Sequence, residues 1–339
     1  MRRILSVLAA VAAMGAVALT GPAAAQVSEF EKPENTVAIR LWMDDMREWA
    51  DHYHGTIADA VALISEINDG VDRAGGQLET GTVAGDTSWV GPWAERQRAA
   101  MADIRARTDR RLPQPRLMLK GRDRTEAFME YATGRGATTL PATARTVIDR
   151  LEPLALAAIE LTVRAMRGDQ RSGELLTVTA FDMNIEFHET RAVLWRSLYQ
   201  GGVASRSVGS RTIDARAAVD ELFATGLRLV REDDWGDGAD ATERKAAADR
   251  ISAAAATIEE AAAAISRLAA TPQVLAAEKP ATWAVAEAML PVARETRRLS
   301  EMIVAGPRLD AAAVMDQLDK LRDLANTVSR RDGERRKLN

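Results

Sequence analysis

A chain of 339 residues with no cysteine can form neither disulfides nor thiolate metal sites, so packing alone must stabilise it. Its 45 basic and 49 acidic residues leave a net charge of −4, which excludes a polyanion binder overall. Helix-forming alanine, leucine, glutamate and arginine abound and period-two aromatic or β-branched runs are nearly absent, so the expected fold class is all-α.

Arg2 and Arg3 precede an uncharged run from Ile4 to Leu19, and Gly21-Pro22 stops it before Ala23-Ala24-Ala25. A basic start, a short apolar core and small residues before Gln26 make a secretory signal peptide over 1–25, cleaved between Ala25 and Gln26. The apolar run is shorter than the roughly 20 residues that span a bilayer. No later segment approaches that length, so the mature chain is expected in the periplasm with no transmembrane segment.

After an extended start over 26–35, Asn35 or Thr36 can cap a first helix. Its stripe runs through Ile39, Trp42, Met46, Trp49 and Tyr53 and on to Val71, ending at Gly75-Gly76. A glycine-rich loop follows. Pro92 starts a second helix whose inward face is Trp93, Ala100 and Ile104, and Pro113 and Pro115 break it. A short helix from Asp123 to Ala132 is expected next, then a long one opened by Pro141 and bent at Pro153.

From about Ser172 to Gln200 two apolar rows run side by side, one of them Val178, Phe181, Ile185, His188, Ala192, Trp195 and Tyr199. Two rows mean a wide buried face, so this is the expected central helix of an N-terminal unit over 36–200. Residues 201–211 carry glycine, serine and arginine without apolar period and read as a linker.

A C-terminal four-helix bundle is expected over 212–330, and a charged, frayed tail over 331–339. Asp240 and Glu243 have capping-box spacing before an alanine-rich helix in which Ile251, Ile258 and Ile265 recur every seven residues. Both units are therefore read as long antiparallel helices in helical-bundle-like, coiled-coil-related packing.

The three histidines are His52, His54 and His188. Asp51 and His54 share a helical face, and Glu186 and Glu189 flank His188, so two facing helices could hold a metal by carboxylate and imidazole. Di-iron sites need Glu-x-x-His on two helices, and Ile185 stands three before His188, so the second copy fails. His188 alone could ligate haem or sense pH. Trp42, Trp49, Tyr53, Trp195 and Tyr199 could line a ligand pocket, although their spacing suits core anchors equally.

The acidic stretch from Glu232 to Asp240 resembles a calcium loop only superficially. With Asp233 at the first position, Trp235 falls where an oxygen ligand is needed and Arg244 where the last glutamate belongs. Arg96 to Arg124 is locally cationic without the aromatic interleaving of a nucleic-acid platform, so no nucleic acid is expected as partner. No nucleophile–base set, Walker loop or dinucleotide loop is present, and no cofactor is implied. The leading expectation is a non-enzymatic exported binding, envelope-interaction or sensory module with a protein or envelope-component partner. The alternative is a metal- or haem-binding bundle built on His188 or His54.

Overall fold

The computed structural model describes residues 32–78, 85–125, 135–197, 208–272 and 274–338. The signal peptide and its cleavage point, the start up to residue 31, the glycine-rich loop over 79–84, nearly all of the expected Asp123–Ala132 helix, Tyr199 and the linker over 201–207 lie outside those residues.

The fold is all-α. Eight helices follow one another among the described residues: α1 (Thr36–Leu78), α2 (Val90–Asp109), α3 (Arg135–Ala165), α4 (Gln170–Ser197), α5 (Val208–Trp235), α6 (Ala241–Ala270), α7 (Lys279–Val304) and α8 (Ala311–Arg336). One tight hairpin, β1 (Met118–Leu119) paired with β2 (Arg122–Asp123), interrupts them. Its turn uses Lys120 at φ 50° and Gly121 at φ 78°, the left-handed pair that a two-residue hairpin turn demands. No helix among the described residues is long and apolar enough to cross a membrane.

The stripe in α1 is buried along its length. Trp42, Trp49 and Tyr53 pack with Leu117 and Leu119 of the hairpin arm and with Leu140 of α3. Further along, Ile64, Ile67 and Val71 join Trp93 and Ile104 of α2, Ile148 and Leu151 of α3 and Met183 of α4. Burying each such side chain contributes about 1.5–3 kcal/mol relative to leaving it in water. Arginines on the cationic stretch of α2 bind outward: Arg98 meets Glu160, Arg105 meets Asp149 and Arg107 meets Asp59. Three of the four arginines within α2 thus hold it to its neighbours.

An apolar cluster in the second half is drawn mainly from α5, α6, α7 and α8, with Ile185 of α4 joining it. Ile251, Ile258 and Ile265 are 0, 1 and 0 % exposed, and the alanines between them let α6 and α7 lie close. Asp240 accepts from the Thr242 and Glu243 amides while Glu243 returns the bond, completing the expected capping box. Arg244, which breaks the calcium-loop pattern, ties two helices together instead. Its guanidinium donates to the carbonyls of Ile303, Gly306 and Pro307 at the end of α7.

Several boundaries differ from the sequence reading: the extended start already turns into a 3-10 helix at Pro33–Asn35, and α1 runs past Gly75-Gly76 to Leu78. Pro141 lies inside α3, six residues after its start, and does not open it. Within the linker span, α5 already begins at Val208. It then runs through Glu232–Asp234 to Trp235, so the first four residues of the acidic stretch are the last turn of a helix. The charged C-terminal residues continue α8 to Arg336 because Asp332, fully buried, binds Arg335, Arg336 and Arg216. Composition alone marks such a tail as frayed; ion pairing from α5 holds it.

Candidate functional site

Helix α4 packs against α1 and α3 on one side and α5 on the other. The side chains at 188, 191 and 195 are spaced three and four apart and therefore share a face, and that face meets α5 around a single carboxylate. Asp220 of α5 is 1 % exposed. Its Oδ1 lies 2.9 Å from Nδ1 of His188, its Oδ2 accepts from Nε1 of Trp195 at 2.9 Å, and Arg191 Nε stands 3.4 Å from the same oxygen.

The His188 ring is fixed by aromatic contacts as well. It stacks on Phe223 of α5 at 4.9 Å with 14° between planes, and meets Phe187 edge-on at 5.2 Å. Arg216 of α5 covers the Trp195 ring at 5.0 Å and continues to the buried Asp332. Burial holds the His188 imidazole below the usual histidine range; the bond to Asp220 opposes that shift, and Arg191 and Arg322 add to it. A carboxylate only accepts, so Nδ1 carries the proton and Nε2 presents a lone pair. Nε2 has no hydrogen-bond partner among the described residues and is not fully enclosed.

Two openings border this interface. His188 lines a cleft of about 430 Å³ together with Asp72 of α1, Asn184 and Arg191 of α4, and Arg322 and Asn326 of α8. The second is a groove of about 750 Å³ bounded by α3, α4, α5 and α6. Alanines 192, 217, 224 and 254 form part of its floor, and the walls carry charges of both signs. Arg150 binds Glu189 at 3.0 Å, Arg228 binds the same glutamate, and Arg196 binds Glu221. Arg250 and Glu260, also on the walls, make no ion pair among the described residues. Burial raises the carboxyls of Asp214 and Glu221 above the usual range.

The expected site residues separate in the fold. Glu186 takes Arg150 and the Thr190 hydroxyl, both at 3.0 Å, and Glu189 takes Arg150 and Arg228, so neither shares a partner with His188. His54 lies 3.2 Å from the Ser197 hydroxyl, its imidazole lowered by burial, and Asp51 is exposed. Among the described residues no three histidine or carboxylate side chains converge as metal ligands. Trp42, Trp49 and Tyr53 sit in the core, 4, 4 and 2 % exposed, with the Tyr53 hydroxyl accepting the Leu112 amide. Trp195 belongs instead to the Asp220 cluster.

Sequence reasoning missed Asp220, Arg191, Arg216 and Arg322. One signal was available: Asp220 stands three after Ala217 and four before Ala224, both buried, so a carboxylate occupies a core spacing. No family model, curated protein or solved structure matches the chain.

Proposed function

We propose that this is an exported, non-enzymatic periplasmic binding protein, cleaved between Ala25 and Gln26, whose two helical-bundle-like units form a seat for a partner in the envelope. The observation that carries the reading is the groove across α3 to α6. Its alanine floor admits a close-packed helix or extended segment, and its walls include Arg250 and Glu260, two charges with no ion-pair partner among the described residues. A partner bearing an acid and a base at matching positions would pair both, so the occupant is a polypeptide of mixed charge.

The test places a photo-crosslinking residue at Thr257, exposed within the groove, and a control at exposed Arg330 on α8. In intact cells the groove position should yield a discrete adduct, and filling the floor by Ala254→Trp should abolish it. Equal labelling from both positions would defeat the reading. Sequencing of the periplasmic product tests the leader separately, with Gln26 as the expected first residue.

A further inference from the structure

We propose that the cleft beside His188 is a second, independent site, and that it binds inorganic phosphate as the hydrogen-bearing dianion. Its donors are guanidinium groups. Arg191 has as its only carboxylate neighbour among the described residues Asp220, at 3.4 Å, and that carboxylate already serves His188 and Trp195. Arg322 pairs, among the described residues, only with Asp319 on its own helix, its side chain 53 % exposed. The amide of Asn326 makes no hydrogen bond among the described residues. Asp72 and Asp220 also line the cleft and balance the two arginines in formal charge, so what the cleft offers a ligand is donor capacity on Arg191, Arg322 and Asn326 that its protein partners leave unused.

His188 adds an acceptor. Asp220 holds the Nδ1 proton and two phenylalanines hold the ring, so Nε2 presents a lone pair beside two cations. Burial first, and the two guanidinium groups after it, oppose protonation of the imidazole against the pull of Asp220, and this favours Nε2 as an acceptor at neutral pH. A ligand satisfying this set must offer anionic oxygens to the arginines and one O–H to Nε2. Hydrogen phosphate does so, whereas sulfate is equally tetrahedral and doubly charged but carries no proton to donate. A phosphate monoester loses its last proton near pH 6 and is mostly aprotic above neutrality. An aromatic-clamped histidine thus discriminates by proton content, and the arginines by charge.

The charged groups acting on the ring are Asp220 from α5, Arg191 on α4 and Arg322 from α8, and Asp72 from α1, whose carboxyl is raised by burial and by Asp69, lines the same cleft. Once His188 is protonated, Nε2 becomes a donor, and the preference against sulfate should disappear.

Calorimetric titration of the full mature chain at about pH 7.5 and constant ionic strength tests this with sodium phosphate, sodium sulfate and methyl phosphate, a monoester with no hydroxyl of its own. Phosphate should bind with one-to-one saturation, and the other two roughly tenfold or more weakly, as expected for losing a hydrogen bond at a charged site. His188→Phe keeps the aromatic stack but removes the acceptor, along with one donor to Asp220, so with its fold verified by circular dichroism it should erase the phosphate preference. Arg322→Met, at an exposed position, should weaken phosphate and sulfate alike by roughly tenfold without unfolding the chain. Equal binding of sulfate and phosphate, tighter binding of the monoester, or phosphate affinity unchanged in Arg322→Met would each overturn the assignment. So would no saturable binding at millimolar phosphate. The partner groove enters none of these measurements, so failure here leaves that reading standing.

Discussion

Trp195 and Asp220, 25 residues apart in sequence, are joined by one indole N–H donated to a carboxylate oxygen at 2.9 Å, and through it α4 is locked to α5. Because Asp220 is enclosed and shared with His188, its negative charge is tolerable only while its donors stay in place. Trp195→Phe keeps the ring but removes one donor, and should cost about 1–3 kcal/mol in urea unfolding. Asp220→Ala strands three donors at once and should cost about 3–5 kcal/mol. A loss below that of the tryptophan change would mean that the carboxylate is not the hub.

Arg244 is the second place where one polar side chain determines local geometry. It is 6 % exposed and supplies the carbonyls of Ile303, Gly306 and Pro307, which the end of α7 leaves without helical partners. Arg244→Met preserves the aliphatic packing and removes all three bonds. The expected loss is about 1.5–3 kcal/mol in denaturant midpoint analysis, with faster amide exchange at the end of α7. Unchanged exchange there would show that water replaces the guanidinium at no cost.

Two glycines of α1 give a paired test of packing. A Cβ on Gly70 would come within 2.4 Å of the Trp93 ring, whereas one on Gly75 meets nothing within 4 Å. Gly70→Ala must push α2 away or twist the indole, and should destabilise by about 1–3 kcal/mol. Gly75→Ala should instead stabilise by about 0.5–1 kcal/mol, because alanine has less backbone freedom to lose in a helix. Thermal melts of the two variants should move in opposite directions.

The parts of this architecture that were legible in the sequence are those set by local period. The α1 stripe, the heptad isoleucines of α6 and the Asp240–Glu243 box each lie within one helix, where spacing dictates the face. What was not legible depends on register between helices. Nothing local marks Asp220 as the partner of His188, 32 residues earlier; that pairing exists only once α4 and α5 have docked. The C-terminal segment is the sharpest case. Asp332 reads as one charge in a solvated tail, yet Arg216, 116 residues away, draws it fully into the interior. Long-range ion pairs of this kind invert burial expectations because each partner removes the desolvation problem of the other.

Acid stability follows from two sets of groups with opposite signs. His54 and His188 are shifted down by burial, so below about pH 6.5 the unfolded chain binds protons more readily than the folded one. Stability therefore falls as the pH drops through that value. Glu186, Asp214 and Glu221 are shifted up by burial, so the folded chain holds their protons more tightly. They cost stability at neutral pH, and the cost is relieved as the pH falls toward their unfolded values near about 4. The histidines thus dominate the upper part of the acid range. In the lower part these raised carboxyls offset the loss carried by Glu34, Asp86, Asp123, Asp169 and Glu295, whose carboxyls hydrogen bonds hold below the usual range. His188→Gln preserves a donor to Asp220 and removes the titration. Urea unfolding should show the variant less stable than the parent at about pH 7.5 but declining less steeply toward about pH 5.5. Parallel declines would assign the acid sensitivity to His54 or to ion pairs elsewhere, and the matching His54→Gln measurement then separates those two.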